Sequence, residues 1–300
     1  MSNRVSKTNL ESKAKKQSAN TVNRHFCSIR LNEQELNIHY RTVGNNTDPM
    51  VFLLHPSPLS SAFMLPIMQV FAQAGYYAIA WDAPGYGDSD KLSTGGETLK
   101  EYCDSLAEFI QCFITDDSNT AKIYGNATGA QIAIEFSKQY PELCHQLILE
   151  NAAIFTDDER DEFMQHYFPD LSPKQDGSHL TTTWQIVNQL FQYFPWYDTS
   201  EKAKLLTAKP PLSVLQATFA DYLKAGEGYG NAYKAALYNE IPAQIQSVTC
   251  NSDIVLWNDS MLKKYSARLL DVALPKNIKL HLVESGIEQR FATLTDLIKK

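Results

Sequence analysis

The chain has no Cys-x-x-Cys pair, no apolar run approaching the ~18 residues that span a membrane, and no excess of positive charge. Each absence removes a class of protein. The five cysteines, at 27, 103, 112, 144 and 250, are odd in number and scattered. That pattern argues against a disulfide scaffold and reads as reduced, mostly buried thiols in a cytoplasmic protein. Lys and Arg total 27 against 34 Asp and Glu, so the net charge of −7 disfavours a general nucleic-acid surface. Neither a nucleic-acid nor a membrane partner is expected. Internal repeats and long low-complexity tracts are also missing. The three glycines of "KAGEGYGNAY" are too irregularly spaced for a phosphate loop, and no cofactor or metal is expected. Residues 1–22 are polar and mildly basic and lack the apolar stretch of a secretory signal, which reads as a disordered leader.

What is present is length and alternation. Three hundred residues, 44% apolar and 20% charged, can bury a sizeable core. "HFCSIRLN" and "LNIHYRTVGNN" read as adjacent strands. "PMVFLLH", "YYAIAWD", "AKIYG" and "HQLILEN" are short apolar runs, as expected of strands buried on both faces. Helical patterns separate them, over about residues 60–74, in "TLKEYCDSLAEFIQCFI", and in "GAQIAIEFSKQY" before Pro141. The alternation stops near 153 and resumes near 246 with "SDIVLWN", "MLKKYSARLLDVA", "IKLHLV" and "EQRFATLTDLIKK". The class is therefore α/β: a mostly parallel sheet flanked by helices, interrupted by a mainly helical insertion at 153–245.

Three stretches follow successive strands: "LLHPSPLSS", "WDAPGYGDSD" and "YGNATGAQ". The second contains Asp82-x-Pro84-Gly85-x-Gly87-x-Ser89. In the third, Gly125 and Gly129 bracket a strand-to-helix turn. Together, and in this order, they resemble the α/β-hydrolase superfamily over about residues 25–300, in the capped branch that holds epoxide hydrolases, haloalkane dehalogenases and C–C bond hydrolases. The resemblance implies an α/β-hydrolase core from 23–152 and 246–300, with 153–245 as a cap over the site.

It also implies a nucleophile at the elbow apex, an acid after a late strand and a histidine after the last strand. The apex residue is Ala127, whose methyl group can neither attack nor transfer a proton. The histidine position holds Ile287. The acid is Asp259, after "IVLW", or Glu150, after "LILE". The backbone donors of an oxyanion hole are kept at Ser57 and Thr128. His179 and His55 are the candidate substitute bases, set against a helix-start role for His179 and a loop-anchoring role for His55. Trp184, Val187, Phe191 and Phe194 recur at helical spacing before Pro195. They form either the packing of the cap or the wall of a cleft for a small apolar or aromatic ligand. Three functions are consistent with these residues: a non-hydrolytic or strongly weakened hydrolase homologue that binds such a ligand, an active enzyme with a rearranged site, and a scaffold without a pocket function. The oligomeric state is left open.

Overall fold

The computed structural model describes residues 21–114 and 121–300. Apart from Thr21 and Val22, the expected leader lies outside the described residues. Strand β1 (Asn23–Leu31) and strand β2 (Gln34–Val43) form an antiparallel hairpin. Its turn passes through Asn32 at φ 54°, a conformation asparagine tolerates. Strands β3 (Met50–Leu54), β4 (Tyr77–Trp81), β5 (Ala121–Asn126), β6 (Cys144–Glu150), β7 (Asn251–Trp257) and β8 (Ile278–Val283) follow. The eight lie in the order β1-β2-β4-β3-β5-β6-β7-β8. Only the β1–β2 and β2–β4 pairings are antiparallel.

Helices cover both faces, which is why the central strands are apolar throughout rather than alternating. On one face α1 (Leu65–Gln73) buries Met68 and Phe71, beside Leu294, Leu297 and Ile298 of the last helix, Ile287–Ile298. On the other, α2 (Leu99–Gln111) and α3 (Thr128–Gln139) bury Leu106, Phe109, Ile132 and Phe136. The first helix begins at Leu65 rather than near 60, because Phe63, Met64 and Leu65 first make tight i→i+3 turns.

Between β6 and β7 the chain forms α4 (Asp157–His166), α5 (Ser178–Leu190), α6 (Leu212–Ala225), α7 (Asn231–Asn239) and α8 (Pro242–Gln246). Phe163, Tyr167, Phe194 and Tyr233 of this insertion share one ring cluster with Tyr265 of the core. Glu159 completes a capping box with Thr156 and also takes two hydrogen bonds from Arg268, at 2.5 and 2.8 Å, so the insertion is tied to the core by charge as well as by rings. After β7, the helix expected over "MLKKYSARLLDVA" is reduced to α9 (Lys263–Ser266) and a 3-10 turn over Ala267–Asp271. Helix α10 (Ile287–Ile298) ends the fold. Among the described residues no helix is long and apolar enough to cross a membrane.

The cysteines depart from expectation. Cys103 and Cys144 are buried, Cys27 and Cys250 are half-buried, and Cys112 is exposed. Sulfur does not decide burial here; position in the strand pleat and at the helix end does.

Glu240, just after α7, is 2% exposed, and its Oε2 has no hydrogen-bond partner among the described residues. Burial pushes its pKa from 4.5 up to about 8, with the charge of Arg160 a lesser, opposing influence. The folded state therefore holds its proton more tightly than the unfolded chain. The cost of the buried charge is absent below pH 4.5 and accumulates up to about pH 8. Glu240→Gln should gain stability over the native chain as pH rises through that window, by about 1.4 kcal/mol per unit at most. Urea unfolding at pH 4.5 and 8.5 measures it; an equal difference at both would show that the carboxyl is already ionised without penalty.

Candidate functional site

The elbow is the sharpest local feature. Ala127 has φ 50° and ψ −115°, a region that L-residues enter at a cost of about 1–3 kcal/mol and that clusters at functional sites. Its N–H donates to the Glu150 carbonyl at 3.0 Å, and its own carbonyl accepts from Ala130 and Gln131 to start α3. The flanking glycines are required by close approach, not by their dihedral angles. A Cβ on Gly125 would lie 2.6 Å from the Gly129 carbonyl oxygen, and a Cβ on Gly129 would lie 2.2 Å from the Leu54 carbonyl oxygen. The turn thus lifts residue 127 above the strand ends, where ligands of open α/β sheets sit. Thr128, the first residue of α3, is buried.

A second set of contacts locks the two loops beside the elbow. His55 Nε2 accepts the Ala83 N–H at 2.9 Å, which leaves Nδ1–H to donate to the Pro56 carbonyl at 3.0 Å. Burial pushes the ring's pKa down. Both nitrogens are therefore occupied, and His55 joins the loop after β3 to the turn after β4. These bonds favour the loop-anchoring role of His55 over that of a substitute base. Asp82 is the centre of that second turn. Its carboxylate accepts from the Ser61 N–H at 2.7 Å, the Asp88 N–H at 2.9 Å and His39 Nδ1 at 2.7 Å. Burial raises its pKa, but these bonds outweigh burial and hold it at about 2. Gly87, at φ 56°, could not carry a Cβ, which would fall 2.0 Å from Asp82 Oδ2. The Asp-x-Pro-Gly-x-Gly-x-Ser spacing is thus a carboxylate wrapped by its own turn. Ser89 completes it by donating to the Asp82 carbonyl at 2.7 Å.

Above the elbow lies a cavity of about 210 Å³. Ser57, Ala127 and Thr128 line it, with Phe191 and Phe194 from the insertion, and Glu150, Asp259 and Arg290 contribute its charged groups. An outer groove of about 720 Å³ shares Phe194, Trp257, Asp259, Ser260 and Met261 with it. Ile287, 45% exposed, lines the groove and not the cavity.

The two candidate acids have different surroundings. Glu150, at the end of β6, is buried and clasped by Arg290 from α10: Nε reaches Oε1 at 2.9 Å and Nη2 reaches Oε2 at 2.7 Å. Tyr124 also donates to Glu150. The Arg290 guanidinium stacks over the Trp257 ring at 4.9 Å. Asp259 accepts the Gly286 N–H at 2.7 Å, which brings the loop after β7 against the residue preceding Ile287. Between the acids runs a polar chain. Ser260 donates to Asn151, Asn151 to Asn126 at 2.9 Å, and Asn126 to Tyr124 at 3.2 Å.

Two expected site residues lie elsewhere. His179 is at the start of α5, where Nδ1 accepts the Lys174 N–H at 3.1 Å and closes the preceding loop. The cavity reaches only the far end of that helix, roughly 18 Å along its axis at 1.5 Å per residue. Trp184 packs edge-on against Phe219 at 5.5 Å and does not line the cavity, being about 10 Å along the helix from Phe191. Helix α5 itself ends at Leu190, short of the expected Phe194. Phe194 precedes Pro195, a position that disfavours helical backbone, and its N–H donates instead to the Ala203 carbonyl at 2.8 Å. Phe194 nonetheless reaches the cavity, by way of this bridge and not of a helical stripe.

Arg290 escaped the sequence reading, although a signal was present. It stands four residues before Leu294 and eight before Ile298, on the apolar stripe of the last helix. A cation on a buried stripe calls for a buried anion. The asparagines 126 and 151 carried no comparable signal.

The sequence profile of the serine aminopeptidase S33 family matches residues 45–208, more than half of the chain. A 2-hydroxy-6-oxononadienedioate/2-hydroxy-6-oxononatrienedioate hydrolase of Burkholderia vietnamiensis is 32% identical over 118 residues, 38% of this chain and 40% of that protein. A hydrolase of the same name from Pseudomonas putida is 29% identical over 133 residues, 41% of this chain and 43% of that protein. The chain thus spans about two fifths of the length of the curated relatives it matches. Among solved structures, a bromoperoxidase from Bacillus anthracis superposes with TM-score 0.69 at 14% identity, over 92% of this chain and 100% of the other. An epoxide hydrolase from Vigna radiata gives TM-score 0.69 at 14% identity, over 94% and 99%. At that identity the likeness is one of fold. With the profile match and the mostly parallel eight-stranded sheet, it leads to one conclusion: the chain belongs to the serine aminopeptidase S33 family of α/β hydrolases.

Proposed function

We propose that this chain is a non-hydrolytic or strongly weakened member of its hydrolase family that binds a small apolar or aromatic ligand in the cavity over Ala127. The observation that carries the reading is the cavity itself: its floor is the Ala127 methyl at the strained apex, and no histidine is among its described lining residues. The histidine-equivalent Ile287 faces the outer groove, and Glu150 is committed to Arg290. Backbone donors at Ser57 and Thr128 are the proposed remnant of an oxyanion hole. A site with such donors alone keeps roughly 10³–10⁴-fold acceleration over water, far short of a full triad. Aromatic walls at Phe191, Phe194, Tyr222 and Tyr233 suit a ring-sized apolar guest.

The test pairs catalysis with binding. The native chain should hydrolyse short p-nitrophenyl esters no faster than an albumin control, while indole or p-nitrophenol raises its melting temperature. Ala127→Ser with Ile287→His should gain ester turnover at least tenfold above native. Native turnover that vanishes in Asp259→Asn would instead establish an enzyme with a rearranged site.

A further inference from the structure

At the opposite end of the sheet from the cavity, Cys144 opens β6 and Cys250 stands immediately before β7. These strands are neighbours in parallel register, with Gln146 opposite Asn251. The two sulfurs are 3.7 Å apart. A disulfide needs about 2.05 Å between sulfurs, so closure requires a displacement of under ~2 Å, within reach of side-chain rotation. Cys144 is 5% exposed and Cys250 is half-buried. The residues that follow them, His145, Gln146, Asn251 and Ser252, line a polar cleft of about 160 Å³. None of these groups belongs to the site over Ala127.

We propose that Cys144 and Cys250 form a peroxide-sensitive dithiol that oxidises reversibly to a disulfide, stapling the chain's return from the helical insertion to the core. Exposure divides the roles. Cys250 is half-buried while Cys144 is only 5% exposed, so peroxide meets Cys250 first, and the adjacent Cys144 thiol hydrogen-bonds to its sulfur and favours its thiolate. Cys250 thiolate attacks one peroxide oxygen. The O–O bond breaks, a sulfenic acid forms, and hydroxide leaves to take up the Cys144 proton as water. Cys144 sulfur then displaces hydroxide from the sulfenic sulfur, and a second water forms once that hydroxide is protonated. Two thiols lose two electrons to one hydrogen peroxide, which becomes two waters. The bond would link residues 106 apart in sequence, closing the loop that contains the whole insertion, and cross-links of long loops restrict the unfolded chain most. Cytosolic disulfides of this kind are transient and redox-responsive rather than structural.

Cys27 and Cys112 are a second pair of thiols that influence each other electrostatically, so the experiment uses the full chain carrying Cys27→Ser and Cys112→Ser alongside the native chain. Each is treated with equimolar hydrogen peroxide near pH 7.5. The expected results are loss of two titratable thiols, a proteolytic peptide linking Cys144 to Cys250, recovery of both thiols with dithiothreitol, and a melting temperature several degrees higher in the oxidised form. Cys144→Ser should leave a dimedone-reactive sulfenic acid at Cys250. Should that variant misfold, peptide mapping of the native chain alone decides the question. Both thiols remaining titratable, or Cys250 passing to sulfinic acid without a link to Cys144, would overturn the proposal.

Discussion

Arg290→Ala is expected to destabilise the fold by about 3–5 kcal/mol, the usual cost of leaving one member of a buried ion pair without its partner. The arginine side chain is 14% exposed and the Glu150 side chain 3%. Two short bonds join them, and the Tyr124 hydroxyl fills a further acceptor site of the carboxylate. Removing the guanidinium strands the carboxylate under the elbow and also strips the stacking partner from Trp257. The loss should therefore exceed that of the double variant Glu150→Leu with Arg290→Leu, which leaves neither charge unpaired. Urea unfolding of the native chain, Arg290→Leu, Glu150→Leu and the double variant gives the coupling directly. If Arg290→Ala lost less than about 1 kcal/mol, the pair would be acting like an exposed surface salt bridge.

The second large effect is expected at the elbow. Gly129→Ala places a methyl 2.2 Å from the Leu54 carbonyl oxygen and 2.9 Å from that of His55. Both contacts are backbone, so no rotamer relieves them; α3 must move off the end of β3. We expect a loss above about 3 kcal/mol, at the upper end of overpacking costs, or no soluble folded protein. Gly228→Ala is the control, because its nearest contact is the movable Asn231 amide at 3.5 Å. That substitution should stay within about 1 kcal/mol of native. A folded Gly129→Ala chain with native stability would mean that the elbow is looser than its contacts imply, and the same measurement would weaken any argument from the strained Ala127 apex.

The elbow and the Asp82 turn were legible in the sequence for a shared reason. Each is a local backbone constraint, recorded in glycines where a Cβ would collide and in polar residues that bond across a few positions. The parallel sheet was legible because helices on both faces demand strands that are apolar throughout. The site was legible only in part. Ala127, Ser57, Thr128, Glu150, Asp259 and Ile287 could be named from motif positions and Phe191 and Phe194 from helical spacing, yet their roles depend on what faces them. Trp184 shows the limit of periodicity: it shares a helical face with Phe191, but the cavity reaches only the last turn of that helix.

What the sequence by itself determined is the order of strands and helices, the two tight turns, and the residue at each motif position, because these follow from chain-local sterics and burial. Tertiary structure alone decided the partners. Glu150 meets Arg290 across 140 residues, Asp82 meets His39 across 43, and Cys144 meets Cys250 across 106. Nothing in local periodicity selects among distant partners. That choice is made when strand order brings the ends of β6 and β7 and the start of the last helix together, and only then does an arginine on an apolar stripe acquire its carboxylate.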